Sequence, residues 1–138
     1  MPSELSDKTV EDLLSEFGKQ ATAKLDNPSV QGSPEDQLRG PLEALWKGLA
    51  NLRPVQIAEP VFVGETHLSE LHTRPDYAVT QGGALIGYIE VKAPGKGINP
   101  RDFKDKHDKS QWNKLKSLPN LLYTDGNGFS LYLSLIHI

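Results

Sequence analysis

Val10, Leu13, Leu14, Phe17, Ala21 and Leu25 recur with the spacing of one helical face and predict a helix over residues 9–25. Glu11 and Asp12 sit in its first turn, where the helix dipole favours acids. Asn27-Pro28 ends it, and residues 26–33 read as a loop. Ser33-Pro34-Glu35-Asp36 predicts a second helix start: Ser33 can cap, Pro34 suits the first helical position, and Asp36 completes a capping box. Leu38, Leu42, Leu45, Trp46, Leu49 and Leu52 carry its apolar stripe to about Leu52. Gly40-Pro41 lies inside it, and the missing proline N–H predicts a kink or a broken first turn.

Beyond Leu52 the period shortens. Val55–Ala58 and Val61–Val63 read as strand, interrupted by Pro60, and residues 64–75 as polar loop. Asp76–Thr80 and Leu85–Lys92 read as two strands joined by a turn at Gln81–Ala84. Pro94, Gly95, Gly97 and Pro100 make 93–101 a loop. Phe103, Trp112, Leu115 and Leu118 give 102–118 a weaker helical spacing. Asn120–Thr124 is a further strand, Asp125-Gly126-Asn127-Gly128 a hairpin turn, and Phe129–Leu133 the return.

The 138 residues hold one domain's worth of core, and a composition 37% hydrophobic and 24% charged is that of an ordinary globular chain. No apolar run reaches the length of a membrane span, and no basic-then-apolar leader opens the sequence. With no cysteine, disulfides and thiolate zinc sites are excluded and a cytoplasmic address is expected. His67, His72, His107 and His137 form no metal-ligand spacing. The net charge of -3 argues against a simple nucleic-acid binder, but residues 92–116 hold eight Lys/Arg against three Asp. Such a segment either follows a phosphate backbone or is a solvated face.

Candidate chemistry sits on the hairpin. Glu90 and Lys92 share a strand face, inside Tyr-Ile-Glu-Val, where a glutamate without a role is unfavourable if buried. Phosphodiester hydrolysis needs an activated water and neutralised phosphate charge. A magnesium ion held by one to three carboxylates supplies both, and a lysine nearby orients the water. Asp76, Glu90 and Lys92 are those residue types, and the Val91 carbonyl is a further oxygen ligand. Register decides whether they meet. Gln81 opposite Ala84 would place Asp76 across from Ile89, on the wrong side. Gln81 opposite Leu85, across Gly82-Gly83-Ala84, places it across from Glu90. The second register, or an equivalent bulge, is therefore expected. No nucleophilic-serine motif, zinc-protease motif or phosphate loop is present.

Pro75-Asp76 followed by Glu90-Val91-Lys92 resembles the PD-(D/E)xK motif of restriction-endonuclease-like nucleases. The resemblance covers roughly residues 30–132 and implies an α/β fold with a central mixed sheet flanked by helices. Glu35, early in the second helix, matches an acidic residue that many members place before the core sheet. Its other reading is a complement to the helix dipole. Gln111 matches the glutamine of the subgroup related to type I restriction subunits, or is simply solvated; Leu115 stands where that subgroup often has tyrosine. Leu121–Gly126 resembles the family's fourth strand and turn. The blend Glu35–Leu42, Arg74–Tyr77 and Gly87–Pro94 resembles the N-terminal nuclease domain of single-chain restriction–modification enzymes.

The resemblance implies Mg2+-dependent cleavage of double-stranded DNA, with Asp76, Glu90, Val91 and Glu35 as metal ligands. Lys92 would position the attacking water, and Gln111 would orient Lys92 or a phosphate. Arg39, Arg74, Lys96 and Arg101 are candidate DNA contacts. A methyltransferase and a target-recognition region would follow. The alternatives are a nuclease fold that binds DNA or a partner without cutting, as at the front of a DNA adenine methyltransferase, and a structural docking domain. Residues 1–28 are expected to be an N-terminal helix and 29–132 the nuclease-like domain. Leu133–Ile138 back-translates to CTG TCT CTT ATA CAC ATC, which resembles the mosaic-end adapter of transposase-based sequencing libraries. We expect 133–138 to be an adapter artefact and the natural protein to continue beyond Tyr132.

Overall fold

The computed structural model describes residues 9–27, 33–54, 56–64, 75–118 and 120–133. Val55, Arg74 and residues 134–138 of the expected adapter tail lie outside the described residues, as do 28–32 and 65–74 of the expected loops. Two compact units divide the chain, Met1–Glu59 and Pro60–Ile138. No described helix is long and apolar enough to cross a membrane.

The first unit pairs helices α1 (Val10–Leu25) and α2 (Pro34–Ala50). In α1, Thr9 and Asp12 form a reciprocal capping box, and Leu13, Phe17 and Ala21 are buried. In α2, Leu38, Pro41, Leu42, Leu45, Trp46 and Ala50 are buried. Two details differ from expectation. Ser33 is the N-cap but its side chain makes no cap bond: the Asp36 N–H donates to the Ser33 carbonyl at 3.1 Å, and the Asp36 carboxylate pairs with Arg39 at 3.5 Å. The helix also runs unbroken through Pro41. Proline forfeits one backbone bond there, but its ring is fully buried among the leucines of the stripe. After Ala50 the strand expected at Val55–Ala58 does not form over Gln56–Ala58, and the Ile57 N–H bonds to the Pro54 carbonyl. Arg53 explains why: its guanidinium donates to the carbonyls of both Ala50 and Ile57, tying Ile57 to the helix end.

The second unit is a five-stranded mixed sheet: β1 (Pro60–Gly64), β2 (Tyr77–Gln81), β3 (Ala84–Val91), β4 (Leu121–Thr124) and β5 (Phe129–Tyr132), neighbours in that order. β1, β2 and β3 form an antiparallel meander, β4 joins β3 in parallel, and β5 returns antiparallel. A parallel neighbour requires a long crossover. Here it contains a short 3-10 turn (Pro100–Asp102) and helix α3 (Lys106–Leu115), which starts where Asp105 accepts the N–H groups of His107 and Asp108. One sheet face, with Ala78, Tyr88, Leu121 and Tyr123, packs on Phe103 and Leu115, with Trp112, Leu118 and Tyr132 at its margin. The Tyr123 ring lies 5.9–6.1 Å from those of Phe103, Trp112 and Tyr132. Such tilted and edge-on pairs add to the burial itself.

The β2–β3 hairpin corrects the expected loop while keeping its consequence. Gln81 pairs with Ala84 across a two-residue turn, not with Leu85 across three. Gly82 and Gly83 have φ of 58° and 81°, left-handed values that glycine adopts without penalty and that match the strands' twist. The ladder then shifts: Thr80 pairs with Leu85, but Val79 pairs with Gly87, which leaves Ile86 as a bulge. Below it Ala78 faces Tyr88 and Tyr77 faces Ile89, so the next residues in the ladder, Asp76 and Glu90, oppose each other.

Candidate active site

Asp76 and Glu90 meet at the open end of the hairpin. The Val91 N–H lies two residues past Ile89, the last β3 partner of β2, and donates to Asp76 Oδ2 at 2.7 Å. The Asp76 N–H donates in turn to Glu90 Oε1 at 3.3 Å. N–H and C=O of one residue leave an extended strand on the same side, so the Val91 carbonyl is also on the Asp76 side. Lys92, two residues beyond Glu90, returns to the same face. Its backbone N–H bonds to Thr124 of β4, which anchors it to the sheet.

The Lys92 ammonium contacts three acceptors: Glu90 Oε2 at 3.2 Å, Asp108 Oδ1 at 3.0 Å and Gln111 Oε1 at 2.6 Å. An ammonium has three N–H donors, so each has a partner inside the protein. Asp108 and Gln111 both come from α3, three residues apart and therefore on one helical face. Asp108 pairs a second time, with Lys96 at 2.5 Å. Glu90, Lys92 and Asp108 are each only 4% exposed, which makes this a buried ionic cluster rather than a surface decoration.

Among the described residues, three carboxylates (Asp76, Glu90 and Asp108) gather beside the ammonium groups of Lys92 and Lys96. Burial and then the charge of Asp76 raise the Glu90 pKa from 4.5 to about 7, against the pull of Lys92 and Gln111. Burial also raises Asp108, but hydrogen bonds from Lys96 and Lys92, and their charges, outweigh it and hold that carboxyl below its usual value. The sign for stability follows. Between 4.5 and 7 the folded chain binds the Glu90 proton and the unfolded chain does not, so Glu90 makes the fold lose stability as pH rises through about 7. Thermal melts across that range should show the slope in the native chain and a flatter one in Glu90→Gln. Equal slopes would mean Glu90 does not carry the strain.

The donor set fits a hard divalent cation. Among the described residues the donors are oxygens, and two carboxylates, Asp76 and Glu90, converge. No group of three or more His, Cys, Asp or Glu is arranged to hold a metal among the described residues. Magnesium asks less than that, since one or two carboxylates with waters suffice.

The structure thus brings together Asp76, Glu90, Val91, Lys92 and Gln111. Lys96, expected at a phosphate, is engaged by Asp108. Arg101 is exposed on the 3-10 turn, and Arg39 pairs with Asp36 in α2. Glu35 is half-buried in the first turn of α2, in the other unit. Asp108 is the residue that sequence reasoning missed. The available signal was its spacing of three from Gln111. No family model, curated protein or solved structure matches the chain, so its chemistry is read from these residues alone.

Proposed function

We propose that the chain is a restriction-endonuclease-like nuclease domain that hydrolyses DNA phosphodiester bonds with Mg2+, as the cutting part of a restriction–modification enzyme. The observation that carries this reading is Asp76 opposite Glu90, with Lys92 next on the same buried face. Supporting it is the order of elements: antiparallel β1–β3, a helix, then β4 parallel to β3. Asp76, Glu90 and the Val91 carbonyl would hold the metal, which supplies Lewis acidity and a water of lowered pKa. Lys92 turns one N–H from Glu90 or Gln111 to the attacking water or a phosphate oxygen. Asp108 keeps the ammonium in place meanwhile. Arg101, Lys104, Lys106, Lys109 and Lys116 are exposed along the crossover and offer the DNA backbone a cationic margin.

A non-cutting DNA-binding module is the second reading, favoured by one fact: all three Lys92 donors already have protein partners. Plasmid nicking with Mg2+ or Mn2+, and its loss in EDTA, tests the first. DNA affinity that survives EDTA and falls with salt, without nicking in any divalent metal, would establish the second.

A further inference from the structure

The tight turn and the candidate site are out of step by one residue. From the Gln81–Ala84 pair, an unbroken ladder would bring Asp76 to Ile89 and leave Glu90 on the opposite face. The bulge at Ile86 removes the mismatch. Tyr88 and Ile89 do not decide between the two ladders, since both are buried; Glu90 and Lys92, buried beside Asp108 and Gln111, favour the bulged one without fixing where the extra residue sits.

What holds the bulge comes from elsewhere in the chain. Asn120, just before β4, donates its side-chain Nδ2–H to the Ile86 carbonyl at 2.8 Å. Its own carbonyl accepts the Tyr88 N–H at 3.1 Å, so Asn120 brackets Gly87 on both sides. A Cβ on Gly87 would lie 2.6 Å from the Asn120 carbonyl oxygen, so only glycine fits there without movement. Asn120 adopts φ 52°, a left-handed conformation that asparagine tolerates better than most residues. From it, amide and carbonyl both reach β3.

We infer that Asn120 is a positioning residue of the candidate site: its amide fixes the bulge at Ile86, and the bulge fixes Asp76 opposite Glu90. The importance of that register for catalysis rests on the proposed function; the register itself does not. Two changes separate them. Asn120→Gly leaves the left-handed backbone accessible while deleting the amide together with its Cβ. Deleting Ile86 removes the extra residue, so that a regular ladder leads from the Gln81–Ala84 turn to Asp76–Glu90 unaided.

The experiment is NMR on the labelled full chain, reading cross-strand contacts, with Mn2+ affinity measured in parallel. The native chain should show Ala78–Tyr88 contacts. Asn120→Gly should lose them, gain Ala78–Gly87 contacts, and bind Mn2+ about 10–100-fold more weakly. Adding the Ile86 deletion to Asn120→Gly should restore both, or restore folding if Asn120→Gly alone does not fold. Unchanged Ala78–Tyr88 contacts in Asn120→Gly overturn the inference. So does a combined variant as impaired as Asn120→Gly, which would mean that Asn120 serves its loop and not the bulge. A register shift with unaltered Mn2+ affinity upholds the register role and rejects the metal site.

Discussion

Asp76→Asn should weaken divalent-metal binding and DNA cleavage together while leaving the fold in place. The amide oxygen can still accept the Val91 N–H that Asp76 Oδ2 accepts at 2.7 Å, so the hairpin end stays closed. What disappears is one of two converging negative charges. Cleavage should fall on the order of 10²–10³-fold, the scale at which a single element of preorganised electrostatics is lost. A second readout is independent of DNA. Burial, and after it the Asp76 charge, hold the Glu90 pKa near 7. Neutralising Asp76 must lower it, and a carbon-detected titration of Glu90 would register the drop. Alanine is the poorer probe, since it also strands the Val91 N–H, at about 1–3 kcal/mol. A variant that cuts DNA like the native chain ends the nuclease reading of this hairpin.

Lys92→Met should strongly destabilise the second unit. The side chain is buried, and its ammonium contacts two carboxylates. Removing one partner of a buried ion pair leaves an uncompensated charge and costs about 3–5 kcal/mol. Asp108 keeps Lys96, so the loss concentrates on Glu90. Lys92 is among the groups that pull the Glu90 pKa down, and without it the carboxyl holds its proton to higher pH. The destabilisation should therefore be mild near pH 5 and grow as pH rises through 7. Chemical denaturation at two pH values reads this directly. Mn2+ binding should survive and recover part of the stability, because a cation now offsets the same carboxylates. Cleavage should not recover. A Lys92→Met protein that nicks plasmid would remove Lys92 from the mechanism.

How much of this was legible in the sequence varied with what each residue type encodes. Helix α1 follows from its apolar period, and the β2–β3 hairpin from the Gly82-Gly83 pair. The bulge was not legible, because Leu85-Ile86-Gly87-Tyr88-Ile89 is apolar almost throughout. An alternating pattern normally reports register, and a strand buried on both faces over its final residues has none to report. Asp108 was hidden for the opposite reason. Polar positions on a helix are read as solvent-facing, whereas α3 turns Asp108 and Gln111 toward a buried lysine. At Val55–Ala58 the apolar run suggested strand, but the tie from Arg53 to Ile57 depends on the three-dimensional path of the chain. The capping pattern at Ser33 did not form a box: the Asp36 N–H goes to the Ser33 carbonyl, and the Asp36 carboxylate to Arg39.

The bracket formed by Asn120 also has a meaning in time. A hairpin with a two-residue turn closes locally, in about 1–10 μs. The parallel pairing of β3 with β4 waits until the whole crossover through α3 has folded back. Ile86 and Asn120 are 34 residues apart, so the bond between them forms after the hairpin exists. The nascent hairpin is thus free to sample both ladders, and the one that joins Asp76 to Glu90 is selected last, when β4 docks.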